Sequence, residues 1–239
     1  MALKVDWTAL VTKNPLVRAC SDETRAALSE YGQLYTFRTG QVLFHEGEPA
    51  GIVIFPLSGV LQMSKTAARG RRQVLCTINA TECGGICLLM MADQGIADVQ
   101  ALDAGQMVVL DRETFQGLAR RDPVLCQTAW GAASECMAHL GGLVSALSFH
   151  KVVERVALML LENTEEDGGL VRVTQAELAA EVGTMREVVA RCLAGLQSSG
   201  VVRLGRGRIT VLNREKLRKQ AEESDRAQAG SVSARESRP

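Results

Sequence analysis

The chain has 239 residues, with 27 basic and 27 acidic side chains, a formal net charge of zero and 46% hydrophobic residues. This length and composition suit two modest domains with separate apolar cores, and the zero charge excludes a general polycation. No apolar run is long enough for a membrane span, and no segment resembles a signal peptide. The seven cysteines lack the spacing of a secreted disulfide framework. We therefore expect reduced thiols in a cytoplasmic protein without membrane contact.

Short apolar runs separated by glycine-bearing turns occupy the region from Phe37 to about Asp111. The runs include QVLF, GIVIFPL, GVLQMS, RQVLCTI and GQMVVLD, which are typical of short strands. They predict an antiparallel β-roll or small barrel. Before it, the chain is helical in tendency from Asp6 to about Glu30, and Ser21 starts one of the helical turns. We assign residues 1–122 to this domain.

A long helix is predicted from Pro123 to Phe149, and we assign residues 123–150 to it. Its apolar residues follow the three-four spacing of a coiled-coil seam. The stripe consists of Leu125, Ala129, Ala132, Cys136, Leu140, Leu143 and Leu147. We favour dimerisation through this stripe; the alternative is that it packs on the β-roll of its own chain.

Two helix-start signals lie ten residues apart in the C-terminal part of the chain, which we assign to residues 151–220. Thr174 and Glu177 have the spacing of a capping box, and Gly183 can end the first helix by adopting positive φ. Thr184 and Glu187 repeat that spacing, which predicts a second helix from Met185 to about Ser198, closed by Gly200. A helix-turn-helix follows.

The second helix has one apolar and one polar face. At 100° per residue, Val188, Val189, Cys192, Leu193 and Leu196 lie together and form the predicted core face. Arg186, Glu187 and Arg191 lie on the opposite side. An arginine fork matches the acceptor pair of guanine, and a carboxylate can accept from the cytosine amine. The alternative is a solvated face with a Glu187–Arg191 ion pair.

The segment VVRLGRGRITV after this helix favours the DNA-reading interpretation, because it predicts a β-hairpin wing with Arg206 at its turn. Between Leu170 and Gln220 there are ten basic and four acidic residues in a chain of zero net charge. A local basic module of this kind is typical of phosphate contact. The predicted DNA-binding residues are Thr174, Gln175, Thr184, Met185, Arg186, Glu187, Arg191 and Arg206. Residues 221–239 are polar, lack core residues and are predicted to be a disordered tail.

The order of β-roll, long helix and winged helix-turn-helix resembles the cyclic-AMP receptor/fumarate-nitrate-reduction regulator (CRP/FNR) family of bacterial transcription factors. The resemblance covers about residues 10 to 215 and rests on TGQVLFHEGEPA with LSGVLQM, FHKVVERVALMLLE, and TQAELAAEVGTMREVVARCLAGLQSSGVV. It implies an α+β chain with a cyclic-nucleotide-binding-like β-roll as the sensor domain. It also implies a homodimer on a near-palindromic double-stranded operator, and RNA polymerase as a partner if the protein is an activator. Arg186, Glu187 and Arg191 match the family's positions for reading a half-site.

The effector site departs from the family pattern. Cyclic-AMP-binding members carry a glutamate for the ribose and an arginine for the phosphate. Gly85 stands in place of the glutamate, and Gly95 and Ile96 stand in place of the arginine pair. Because a buried phosphate without a cation is costly, we expect that this chain does not bind cyclic AMP.

Cys76, Cys83 and Cys87 are the effector candidates of the roll, and Cys83 and Cys87 are also candidate metal ligands. Haem, an iron–sulfur cluster, another metal or redox and gas sensing stay open, as does a role as core filler. Iron–sulfur members use an N-terminal cysteine group, where this chain has Cys20. Haem members carry Cys-x-His, but Leu89 replaces the histidine here, so the cofactor is not identified. We interpret the other four cysteines as structural: Cys20, Cys126, Cys136 and Cys192.

Three functional classes follow from these patterns. The favoured one is a ligand-gated transcription regulator that senses its signal in the β-roll. A constitutive DNA-binding regulator with a vestigial effector domain is the first alternative. A cysteine-dependent enzyme has the least support, because the three histidines are scattered and no activated-thiol signature is present. We therefore expect a protein that is not an enzyme.

Overall fold

The computed structural model describes residues 14–81 and 86–222, with the side chain of Pro15 excepted. These residues form two compact units. Unit 1 comprises the described residues up to Lys65 together with Leu75–Gly141, and unit 2 comprises Thr66–Val74 together with the described residues from Gly142. No helix within the described ranges is long and apolar enough to cross a membrane.

Unit 1 is built on two antiparallel sheets that form the expected β-roll. The strands are β1 (Gln33–Phe37), β2 (Val42–Phe44), β3 (Ile52–Ser58), β4 (Leu61–Thr66), β5 (Arg72–Ile78), β6 (Asp98–Ala101) and β7 (Gly105–Asp111). One sheet has the order β1-β7-β3 and the other has the order β2-β6-β4-β5. Val53, Ile54 and Phe55 of β3 are fully buried, because this strand has packed side chains on both faces. The α+β class expected from the sequence is confirmed.

Among the described residues, four helices accompany the roll: α1 (Pro15–Ala19), α2 (Asp22–Tyr31), α3 (Arg112–Ala119) and α4 (Pro123–Phe149). Ser21 caps α2 as expected, and its hydroxyl accepts from the amide of Thr24 at 3.2 Å. Asp122 precedes α4 and accepts from the amides of Val124 and Leu125 at 3.0 and 3.2 Å. The bounds of the long helix are those read from the sequence.

Part of the apolar stripe predicted along α4 is buried within its own chain. Leu125, Ala129 and Ala132 are buried in the core of unit 1, so the first half of the stripe packs on the β-roll of its own chain. The dimerisation interpretation was therefore wrong for this half. A helix that packs beside a sheet buries one of its faces against that sheet. The periodicity of the apolar residues alone does not identify which of them lie on that face.

Unit 2 contains a second core around the C-terminal helices. Its elements are α5 (Val152–Glu162), β8 (Leu170–Val171), α6 (Gln175–Glu181), α7 (Arg186–Ser198), β9 (Val202–Gly205), β10 (Arg208–Val211) and α8 (Arg214–Ala221). The strands form a sheet in the order β8-β10-β9. Leu178 of α6 and Val189 and Leu193 of α7 are fully buried in the shared core. This is the winged helix-turn-helix expected from the sequence.

The first of the two predicted capping boxes forms and the second does not. Helix α6 ends at Glu181 with Val182 as its C-cap, and Gly183 follows with φ of 68°. The amide of Thr184 then donates to the carbonyl of Ala179 at 2.9 Å, as in a Schellman motif. Thr184 thus belongs to the end of α6, and the residue at the N-cap of α7 is Met185, which makes no side-chain cap hydrogen bond. The helix starts at Arg186, one residue later than predicted.

The end of the described chain differs slightly from the predicted tail. Ala221 is the last residue of α8 and is 5% exposed, so it belongs to the core of unit 2. Residues 223–239, on which the disorder prediction depends, lie outside the described residues.

Candidate nucleic-acid interface and ligand cavity

Helix α7 presents its charged residues to solvent. Arg186, Glu187 and Arg191 are exposed, whereas Val189 and Leu193 are fully buried on the opposite side. Within the described part of unit 2, Glu187 and Arg191 do not approach within the 4.0 Å of an ion pair. Val188 and Cys192, which we placed on the core face, are half-buried at its edges. The guanidinium and carboxylate groups are therefore available to an external partner.

Thr174 and Gln175 start helix α6 beside that face. The Thr174 hydroxyl accepts from the amide of Glu177 at 3.2 Å, and the Thr174 amide donates to the Glu177 carboxylate at 2.7 Å. Hydrogen bonds to the Glu177 carboxylate, first from the Thr174 amide and second from the Thr174 hydroxyl, lower the pKa of Glu177. The reciprocal cap fixes the orientation of α6, and therefore the direction in which its first residues point.

The wing carries exposed arginines, among them Arg206 and Arg208. Arg206 lies at the exposed tip between β9 and β10, where Gly205 pairs with Arg208. A groove of about 300 Å³ is lined by Thr174, Gln175, Arg186 and Arg208, among others. The sequence indicated Arg208 only as one of the ten basic residues between Leu170 and Gln220, yet this residue lines the same groove as Arg186. The alternation of the two strand segments, VVRL and RITV, places Arg203 and Arg208 on the polar side of the hairpin, which could have identified Arg208.

A third group of arginines was missed by the sequence reasoning. Arg69, Arg71 and Arg72 lie in the turn between β4 and β5 and at the start of β5, within unit 2. They line a groove of about 400 Å³ with Thr184, Met185, Arg186 and Glu187 at the start of α7. The side-chain amide of Gln73 donates to the carbonyl of Glu181 at 3.3 Å, which ties this hairpin to α6. The signal was the run RGRR, which we interpreted only as a glycine turn.

Unit 1 contains a cavity of about 690 Å³ between the roll and helix α4. Its walls come from β5, from the chain around Cys87 and from one side of α4. The lining residues are Cys76, Thr77, Ile78, Thr81, Ile86, Cys87, Leu88, Leu89, Ala132, Ala133, Glu135, Cys136, Met137, His139 and Leu140. Its volume is that of a small-molecule binding site.

The cysteines separate into lining and non-lining residues. Cys76 and Cys87 line the cavity, as does Cys136, which the sequence led us to interpret as purely structural. Cys83 lies outside the described residues, so its roles as effector residue and metal ligand stay predictions. Within residues 14–81 and 86–222, no group of three His, Cys, Asp or Glu side chains is arranged to hold a metal ion. Burial raises the pKa of the Cys136 thiol, so it is protonated near neutral pH.

Cys20 does not line the cavity. Burial first, and the nearby charge of Asp122 second, raise the pKa of its thiol to about 12. Such a thiol is unreactive in water at neutral pH, in agreement with its interpretation as a structural residue.

Both units match known families in sequence. Residues 34–122 match the model of the cyclic nucleotide-binding domain, and residues 154–220 match that of the Crp-like helix-turn-helix domain. The boundaries of the second match enclose the exposed face of α7 and the wing. The DNA-binding function of unit 2 follows from this match together with the exposed reading helix.

Two curated relatives extend over most of the chain. The cyclic AMP receptor protein of Thermus thermophilus is 28% identical over 199 residues, covering 83% of this chain and 92% of that protein. A CRP-like cAMP-activated global transcriptional regulator of Mycobacterium tuberculosis is 25% identical over 204 residues, covering 82% of this chain and 91% of that protein. Both are transcription regulators by name.

A solved structure agrees with the fold. The c-di-GMP responsive global regulator CLP of Xanthomonas campestris aligns with a TM-score of 0.71 and 20% identity, over 81% of this chain and 100% of that one. At this identity the similarity concerns the fold alone. From the two domain matches, the relatives and the fold, the chain belongs to the CRP/FNR family of DNA-binding transcription regulators.

Proposed function

We propose that this regulator acts as a homodimer that reads a near-palindromic DNA site through two copies of helix α7. The observation that carries the proposal is the exposed face of Arg186, Glu187 and Arg191. Within the described chain, Glu187 and Arg191 form no ion pair with each other. A helix of this kind fits the major groove of B-form DNA. Dimer symmetry then requires two half-sites about one helical turn apart, or about 34 Å.

The types of the three side chains support reading of base edges rather than phosphate contact alone. The forked guanidinium of Arg186 or Arg191 matches the two acceptors of guanine in the major groove. The carboxylate of Glu187 is repelled by phosphate and can accept from the amine of cytosine. A surface that served only as a phosphate clamp would gain nothing from this carboxylate.

The exposed side of α4 supports the homodimer. Trp130, Met137 and Val144 recur every seven residues and are 73%, 71% and 64% exposed. Ala133 and Leu140 lie between them, Leu147 follows Val144, and together these residues form a heptad seam. An apolar stripe of this length is unusual on a monomer, and a second copy of α4 would bury it. This seam shares only Leu140 and Leu147 with the stripe expected from the sequence.

The basic groups around α7 support phosphate contact on both sides of the reading helix. Arg206 and Arg208 lie in the wing, and Arg69 and Arg71 lie in the hairpin between β4 and β5. Lysine and arginine contacts of this kind fix the register of a protein on the duplex without specifying sequence.

The cavity of unit 1 supports gating by a ligand over constitutive DNA binding. A vestigial sensor domain would be expected to fill such a volume with side chains, because empty apolar space destabilises a protein. RNA polymerase as a partner, the cytoplasmic location and the lack of enzymatic activity stay predictions from the sequence.

The proposal is tested by selecting bound duplexes from a random pool with the purified full chain, its Arg186→Ala variant and an Arg38→Ala control. Arg38 is an exposed arginine of unit 1. The wild type and the control should select the same inverted repeat. Arg186→Ala should lose preference at one base pair of each half-site, at a cost of about 1–3 kcal/mol.

Two results would contradict the proposal. An equal loss of affinity by Arg186→Ala on all duplexes would make Arg186 a phosphate contact. Selection of single, unrepeated sites by a chain that sediments as a monomer would refute the homodimer.

A further inference from the structure

The cavity of unit 1 is apolar in its depth. Ile78, Ile86, Cys87 and Ala132 line it and are between 1% and 6% exposed. Of the polar lining residues, Thr81, Glu135 and His139 are exposed and therefore lie toward the mouth, whereas Thr77 is half-buried. Nε2 of His139 lies 2.7 Å from the carbonyl oxygen of Leu75, so this nitrogen donates its proton to the backbone. The part of the cavity that would bury a ligand therefore offers mainly hydrocarbon and thiol surfaces, with the hydroxyl of Thr77 as its one half-buried polar side chain among the described lining residues.

The charge of the lining disfavours anions. Among the described lining residues there is no lysine or arginine, and Glu135 contributes a negative charge. A phosphate, sulfonate or carboxylate group in the depth of this cavity would be desolvated without a compensating cation, which is costly. A cationic ligand would meet the same desolvation cost in the depth, where its charge would find no carboxylate.

The size of the cavity suits a small organic molecule. Cavities of about 300–1,000 Å³ bury most of the surface of such ligands, and this one measures about 690 Å³. A single metal ion would occupy a small fraction of this volume. The three lining thiols, Cys76, Cys87 and Cys136, act as small apolar groups in this setting.

We propose that the cavity binds an uncharged, largely apolar small molecule. This inference rests on the proposed function, in which the cavity is the effector site, and it specifies the chemical class of the effector. The apolar end of the ligand lies against Ile78, Ile86 and Ala132. A polar end, where the ligand has one, lies beside His139 at the mouth.

A matched pair of fluorescent probes tests the charge and polarity of the site. N-phenyl-1-naphthylamine is uncharged, and 8-anilino-1-naphthalenesulfonate has the same aromatic skeleton with one sulfonate added. The full chain should bind the uncharged probe in a saturable manner, and the sulfonate should bind at least about tenfold more weakly because its charge must be desolvated. Excess cyclic AMP should not displace the uncharged probe. Equal or tighter binding of the sulfonate, or displacement by cyclic AMP, would overturn the proposal.

A matched pair of variants tests the location. Cys136 lines the cavity, whereas Cys126 lies on the same helix and does not. Cys136→Trp should weaken binding of the uncharged probe at least about tenfold by filling the cavity, and Cys126→Trp should leave it unchanged. Equal effects of the two variants would assign the probe to the exposed seam of α4 and refute the cavity site. Should Cys136→Trp fail to fold, the comparison of the two probes on the wild type still decides the charge class.

Probe binding is measured without DNA, so its outcome is independent of the selection experiment. A chain that selects an inverted repeat but fails to bind the uncharged probe would retain the proposed DNA-reading function and lose the inference about the ligand. A chain that binds the probe but no duplex would do the reverse.

Discussion

The turn of the helix-turn-helix gives the sharpest test of the packing in unit 2. Gly183 has φ of 68°, which an alanine adopts at a cost of about 1–2 kcal/mol. A methyl group there would also come within 2.6 Å of Cδ2 of Leu147 and would collide with the side-chain amide of Gln73. Both groups are the far ends of flexible side chains, and Leu147 is partly exposed, so the overpacking cost lies near the low end of the usual range, at about 1 kcal/mol. Gly183→Ala should therefore destabilise unit 2 by about 2–3 kcal/mol.

Gly200 provides the matched control. It has φ of 70° after α7 and the same Schellman geometry, but a methyl group there would meet nothing within 4 Å. Gly200→Ala should therefore cost only the backbone strain of about 1–2 kcal/mol. In the Gln73→Ala background, part of the excess cost of Gly183→Ala should disappear, because one of the colliding groups is removed.

Hydrogen exchange followed by mass spectrometry is the suitable assay, since peptides from α7 report on unit 2 alone and a melt of the whole chain would mix two units. The free energy of opening of residues 186–198 is compared between variants. Equal costs of Gly183→Ala and Gly200→Ala, or no relief in the Gln73→Ala background, would refute the close approach at Gly183.

The other predictions concern acid stability and salt dependence. Burial opposes ionisation of Asp122, but hydrogen bonds from Thr24, the Ser21 amide and the Leu125 amide outweigh it and lower its pKa below the ordinary value of 3.8. Its stabilisation is thus present above about pH 4 and is lost as the pH falls further. Asp122→Asn should lower the free energy of unfolding by about 1–3 kcal/mol at neutral pH and reduce the further loss of stability below about pH 4, both followed by circular dichroism. An unchanged dependence of stability on acid pH would contradict this. The double variant Arg69→Ala/Arg71→Ala should lower the slope of log affinity against log salt by about 0.9 for each DNA phosphate that these arginines neutralise. A slope equal to that of the Arg38→Ala control would exclude the hairpin from the interface.

The elements that the sequence predicted well are those whose signals are local. The bounds of α4, the cap of α2 by Ser21 and the first capping box all depend on residues within one or two helical turns. The second capping box failed because a competing local interaction won. The Schellman bond at the end of α6 uses the amide of Thr184, and that residue then cannot start α7.

The features that the sequence did not predict depend on contacts between distant segments. Periodicity identified an apolar stripe on α4, but only packing on the roll decided that Ala132 faces inward and Trp130 outward. The exposed face of α7 followed from the helical angle of its residues. By contrast, the groove that both Arg69 and Arg186 line brings together positions more than a hundred residues apart in sequence, which no single-sequence pattern encodes.

Three side chains of α4 belong both to the lining of the cavity and to the heptad seam: Ala133, Met137 and Leu140. A molecule in the cavity and a second copy of the chain would thus act on the same side chains from opposite directions. Occupancy and self-association are then thermodynamically linked, so each changes the equilibrium constant of the other by the same factor. The apparent dissociation constant of the ligand should consequently shift on dilution of the protein, and a titration at a single concentration would report on both equilibria.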